Sequence, residues 1–265
     1  MNKITTIKTA SSTLNCAIIA GGHRPFALFP GLYPKDLMPL APAVANQYQR
    51  FLDEYTIYLF DRVSEPSEHY TVQEMAADTI HAMDVLHISD AYAMGVSAGG
   101  MVMQAIASER PDLLQHIVIG SSTSKMTEHA RRILNGWASL ARAGKRTELN
   151  RSFASMVYTD AFYAKYEEAI LQALSNETEA ELRRFAIFAD ALGNFELADE
   201  QRKITCPVLA IGAEKDRIFG SEATLELARK TRGRFFIYKN YGHAVYDEAP
   251  DYLEKVWEFF EEGRQ

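Results

Sequence analysis

From Thr56 onward the chain alternates short apolar runs with helical patterns, and that alternation restricts the fold more than any other feature. Thr56–Phe60, Ala91–Val96, His116–Ile119, Pro207–Ile211 and Arg234–Tyr238 read as buried strands, each brief and bounded by turn or charged residues. Between them lie helices. Val72, Met75, Ala76, Ile80, Met83 and Leu86 fall on one face, behind a capping box at Thr71-Val72-Gln73-Glu74. Ala98–Ser108 forms a second helix, ended near Pro111, and Glu222–Lys230 a third. Pro250 reads as the first residue of a last helix that turns Tyr252, Val256, Phe259 and Phe260 inward. Strands this apolar, with helices between them, imply a parallel sheet covered on both faces.

The leading segment adds three strands. Ile4–Thr9 and Thr13–Ala20 fit an antiparallel edge, and Phe26–Phe29 is a short buried strand stopped by Pro30-Gly31. Pro39–Tyr55 then reads as one helix, from the spacing of Leu40, Val44, Tyr48 and Phe51. The expected fold class is α/β, an eight-stranded, mostly parallel sheet.

The rhythm breaks after Ser121. As far as about Lys203 no strand is evident, and three helical blocks are expected, at Glu128–Ala143, Phe162–Leu174 and Glu177–Leu192. So long a stretch is not a simple loop. The 265 residues therefore divide into one core, residues 1–121 and 204–265, and a helical insertion at 122–203.

Among the chain's small-residue motifs, Gly95-Val96-Ser97-Ala98-Gly99 matches G-x-S-x-G. By itself such a match arises by chance, but here a strand precedes it and a small-residue helix follows. That is the setting of a nucleophile elbow, where the turn is too tight for side chains beside the serine. A glycine-rich strand-to-helix turn of a nucleotide fold is the bland reading, and the full G-x-G-x-x-G spacing is missing. A serine needs a base. Of seven histidines, His243 lies after the last strand and before the last helix, in Tyr241-Gly242-His243-Ala244. The others fit surface or satisfied roles: His81 and His87 in a helix, His69 and His129 near helix starts, His116 on a strand and His23 in a turn. The base needs a carboxylate to hold its tautomer. Asp216 directly follows the Pro207–Ile211 strand, with Glu214 its rival two residues earlier. Ser121-Ser122-Thr123-Ser124, after the sixth strand, offers no carboxylate.

With Ser97, Asp216 and His243 in that order, the chain resembles the α/β-hydrolases. It is similar to their capped members: carboxylesterases, enol-lactonases, carbon–carbon bond hydrolases and cofactor-free haloperoxidases. Gly95 to Gly100, Asp216, Gly242-His243 and Glu248-Ala249-Pro250 carry the likeness, and the insertion falls where that family has its cap. The resemblance implies an oxyanion hole from the N–H of Ala98 and that of Leu32, in the loop after the third strand. In that loop Pro30 replaces a histidine that the family often carries. After the fourth strand, Asp61-Arg62-Val63-Ser64-Glu65-Pro66-Ser67 lacks the family's glycines, so the pocket rim is expected to differ. Trp137, Phe153, Met156, Tyr158, Phe185, Phe188 and Phe195 fit either the core of the insertion or a wall for a lipophilic small molecule.

The expected activity is a serine hydrolase acting on a small carboxylic ester or lactone through an acyl-enzyme. Carbon–carbon bond hydrolysis or perhydrolysis by the same residues is the nearest alternative, and a non-catalytic binding protein a more distant one. No metal or organic cofactor is implied; Cys16 and Cys206 sit apart in apolar runs, without a CxxC or a Cys/His cluster, and read as reduced and buried rather than as a zinc site or a functional disulfide. A formal charge of −7 argues against a nucleic-acid partner. No apolar run approaches a membrane span, and the N-terminus shows no signal peptide, so a cytoplasmic protein is expected, with a homodimer compatible.

Overall fold

The computed structural model describes residues 2–10 and 12–262; the outermost residues of the expected core, 1 and 263–265, lie outside them. Eight strands form one sheet: β1 (Asn2–Lys8), β2 (Thr13–Ile19), β3 (Arg24–Phe29), β4 (Tyr55–Phe60), β5 (Ala91–Val96), β6 (Leu114–Gly120), β7 (Val208–Ala213) and β8 (Arg234–Tyr238). Their order is β1-β2-β4-β3-β5-β6-β7-β8. β1 and β2 are antiparallel, as is β2 with β4, and every pair from β4–β3 to β7–β8 is parallel. The central strands β5 and β7 are buried along their whole length.

Helices cover both faces. α1 (Ala41–Gln47) and α10 (Tyr252–Glu261) lie on one, with an aromatic cluster of Phe26, Phe51, Tyr55 and Phe260 between them and the sheet. α2 (Val72–Val85), α3 (Ala98–Glu109) and α8 (Gly220–Thr231) lie on the other. β5 serves both, with Ala91 and Ala93 on the second face and Tyr92, Met94 and Val96 on the first. The Thr71 and Glu74 capping box closes as expected.

Between β6 and β7 the chain leaves the sheet for α4 (Glu128–Arg142), α5 (Arg146–Val157), α6 (Asp160–Leu174) and α7 (Glu179–Gly193). The outgoing and returning segments meet at the neck. Met126 N–H donates to Phe195 O at 3.0 Å, Leu197 N–H to Ser124 O at 2.9 Å, and Lys125 pairs with Glu196.

Several boundaries differ from expectation. Pro39–Tyr55 is not one helix: short 3-10 segments at Met38–Leu40 and Gln49–Asp53 flank a short α1, and Tyr55 belongs to β4. Tyr48 and Phe51 are both buried, three residues apart, and the tighter turn places both inward. His87 lies beyond α2 at a φ of 54°, where the left-handed backbone stops the helix. Pro250 precedes α10, whose N-cap is Asp251. α5 has no counterpart among the expected blocks, and neither has the one-turn α9 (Val245–Glu248).

Candidate active site

The C-terminal ends of the parallel strands gather the residues singled out above. Ser97 follows β5 directly and caps α3, with φ 51° and ψ −118°. For a residue other than glycine this conformation costs about 1–3 kcal/mol and persists only where the surroundings impose it. Here they do. Ser97 N–H is held by Gly120 O at 2.8 Å, and its carbonyl by Ser122 Oγ at 2.8 Å. A Cβ on Gly99 would lie 1.8 Å from Phe29 O, and one on Gly95 2.6 Å from Gly99 O. The glycines are there because β3, β5 and α3 approach backbone to backbone.

His243 sits in the loop between β8 and α9 and is 2 % exposed. Its Nδ1 lies 2.9 Å from Asp216 Oδ2. Asp216 is buried in the turn after β7, and its Oδ1 accepts the Ile218 and Phe219 N–H groups at 2.8 and 3.1 Å. Burial by itself would raise the Asp216 pKa; the facing His243 and the two backbone donors outweigh it and hold the carboxyl below its ordinary value. An ionised carboxylate only accepts, so Nδ1 carries the hydrogen and Nε2 keeps its lone pair. Glu214, the rival, is exposed. The Ser121–Ser124 segment is buried, without a carboxylate.

Ser97 and His243 line one small cavity of about 20 Å³, with Gly31, Leu32, Ala98 and Tyr246 also in its wall. That is room for about one water. Ala98 is the first residue of α3, so its N–H has no acceptor within the helix. Among the described residues neither it nor the Leu32 N–H donates to a protein acceptor. Arg62 Nη1 fixes the Leu32 loop by donating to Gly31 O at 2.7 Å. Gly31, Leu32, Phe153, Val157 and Tyr246 also line a second cavity of about 380 Å³.

The helical excursion closes over this edge. Ala244 N–H donates to Val157 O at 2.9 Å, and Glu248 accepts from Thr159 N–H and Oγ1 at 3.0 and 2.6 Å. Trp137 and Phe153 wall the cavity beside Ser97, Tyr158 the larger one, and Phe188 a third space of about 30 Å³ next to Arg62 and Ala98. Phe185 and Phe195 are core, and Met156 packs against that core. Tyr246 and Asp247 went unnoticed in the sequence. The available signal was their place three and four residues after His243.

Comparison with known proteins agrees with this architecture. The model of the alpha/beta hydrolase fold family matches residues 40–250. Among curated relatives, a 3-oxoadipate enol-lactonase of Acinetobacter baylyi is 22% identical over 80% of this chain and 79% of its own. A pyrrolizixenacetamide deacetylase of Xenorhabdus hominickii is 24% identical over 80% of each chain. Among solved structures, an alpha/beta hydrolase from a Medee basin deep-sea metagenome library superposes with a TM-score of 0.88 at 17% identity, covering 98% of both chains. The enol-lactonase of Burkholderia xenovorans LB400 gives 0.84 at 20% identity, covering 97% of this chain and all of the other. The chain therefore belongs to the alpha/beta hydrolase fold family and is a hydrolase.

Proposed function

We propose that the chain is a serine hydrolase that cleaves a small carboxylic ester or lactone through an acyl-enzyme. The observation that carries this reading is the 2.9 Å bond from Asp216 to the Nδ1 of His243, whose ring shares a cavity with Ser97. Ser97 Oγ attacks the carbonyl carbon while His243 Nε2 takes its proton. The C–O bond to the leaving alcohol breaks as His243 returns the proton to it. Water, deprotonated by His243, then attacks the acyl-enzyme, releasing the acid and restoring Ser97. Asp216 holds the tautomer and faces the imidazolium. The N–H groups of Ala98 and Leu32, two residues of the cavity wall whose N–H groups have no protein acceptor among the described residues, receive the developing oxyanion.

In this proposal residues 122–203 act as a cap that roofs the site and excludes water. The relatives' names, a lactonase and a deacetylase, support an acyl group as the common element of the substrate. The test is a panel of esters and lactones turned over by wild type and by Ser97→Ala. Turnover by the wild type and its loss in a folded Ser97→Ala are expected; equal turnover in the variant overturns the reading.

A further inference from the structure

The larger cavity bears a charge that esters and lactones as a class do not require. Its wall is mostly aliphatic and aromatic, contributed by the Leu28–Tyr33 segment, α1, α5 and α6. Among the described residues that line it, Asp247 is the one charged side chain; no Lys, Arg or His takes part. Asp247 lies on α9, four residues past His243, and is an exposed residue at the cavity wall. Tyr158 hydroxyl donates to its Oδ2 at 3.1 Å, and no other hydrogen bond reaches the carboxylate among the described residues.

Around it stand Tyr33, Tyr48, Tyr158 and Tyr246, all in the same wall. Tyr33 hydroxyl is turned to Ala173 O at 3.2 Å, whereas those of Tyr48 and Tyr246 make no hydrogen bond among the described residues. Ala173 and Leu174 bring the C-terminal end of α6 into the wall, the negative pole of that helix. Lys35, at this end, is already committed, its Nζ donating to Ala173 O and Ser175 O at 3.2 and 2.9 Å. Glu248, beside Asp247, is taken up by Thr159. Lys35 thus answers the helix C-terminus, while a carboxylate with spare acceptor capacity and four tyrosine rings favour a further positive charge in one apolar space.

We propose that this cavity binds an alkylammonium group, seated among Tyr33, Tyr48, Tyr158 and Tyr246 against the Asp247 carboxylate. That the cation is an arm of the substrate rests on the ester or lactone reading above; the cation site itself does not. Loss of water on its protein-facing side, with Glu248 near, raises the Asp247 carboxyl to about 6 against the pull of Tyr158, so at pH 8 it is ionised. Tyr246 links the site to the reaction centre. A Cβ on Gly31 would lie 3.3 Å from Ser97 Cβ and 3.8 Å from Tyr246 Oη, so the phenol stands one small group away from the serine.

The test is calorimetric titration at pH 8 with three six- or seven-carbon probes, hexyltrimethylammonium, hexan-1-ol and heptanoate. Wild type is expected to bind the cation at least tenfold more tightly than either of the others. Asp247→Asn should erase the preference, and Glu214→Gln, outside the cavity, should keep it. Equal affinities for the three probes in wild type overturn the proposal, and so does a preference that survives in Asp247→Asn. Should that variant not fold, the wild-type series decides alone. Cation preference without ester or lactone turnover would leave the site standing and sink the ester or lactone reading; neutral-ester turnover without cation preference would do the reverse.

Discussion

Replacing Asp216 by Asn removes one charge and almost no volume, and the structure dictates how the amide would sit. Asp216 Oδ1 accepts two buried N–H groups, from Ile218 and Phe219, and Oδ2 faces His243 Nδ1. Turning the amide nitrogen toward the backbone would set donor against two donors, at about 1–3 kcal/mol for each buried N–H left unbonded. The amide oxygen therefore stays on the backbone, and its NH2 meets His243. Nδ1 must then accept, the ring proton moves to Nε2, and Nε2 can no longer take a proton from Ser97. A loss of about 10⁴-fold in kcat/KM is expected, equivalent to about 5.5 kcal/mol, with the fold retained. The assay is hydrolysis of a p-nitrophenyl ester at pH 8, with circular dichroism as the folding control. Glu214→Gln should stay near wild type. An Asp216→Asn enzyme within tenfold of wild type, correctly folded, would refute the tautomer reasoning.

Three further outcomes follow from other contacts. Gly99→Ala would force a Cβ to within 1.8 Å of Phe29 O, and no side chain can yield there; a loss of more than about 3 kcal/mol is expected in urea unfolding. Glu248→Ala strips Thr159 of two bonds and should cost about 2–3 kcal/mol, with a fall in kcat because the His243 loop rests on the same α5–α6 joint. Asp247 has a raised carboxyl, so ionising it costs more in the folded chain than in the unfolded one. Asp247→Asn should therefore unfold at a higher temperature than wild type at pH 8, and the gain should shrink between about pH 6 and 4 and vanish below; a gain that grows toward acid pH would contradict the assignment.

The elbow was legible because its constraint is local: Gly95 and Gly99 are demanded by backbone contacts within one strand-turn-helix unit. Asp216 and His243 were legible as positions after β7 and β8, since a parallel sheet collects such positions at one edge. The bond between them joins residues 27 apart, and it was the structure that set Asp216 on His243 and left Glu214 exposed. The break in Pro39–Tyr55 was hidden because a helical spacing of Tyr48 and Phe51 also suits a 3-10 turn, and the choice was made by packing against Phe26 and Trp257. α5 was overlooked although Leu149, Phe153 and Val157 recur at every fourth position and Gly144, at φ 66°, ends α4. Asp247 carried no pattern of its own. Its meaning comes from tyrosines on four separate segments that only the folded chain assembles.

The central claim is that Ser97 is the nucleophile, and covalent capture reads it most directly. Wild type treated with a fluorophosphonate and analysed by intact-mass and peptide mass spectrometry should carry one adduct, on Ser97, and a folded Ser97→Ala should carry none. An active wild type left unlabelled, or labelled elsewhere with Ser97 free, would contradict the account.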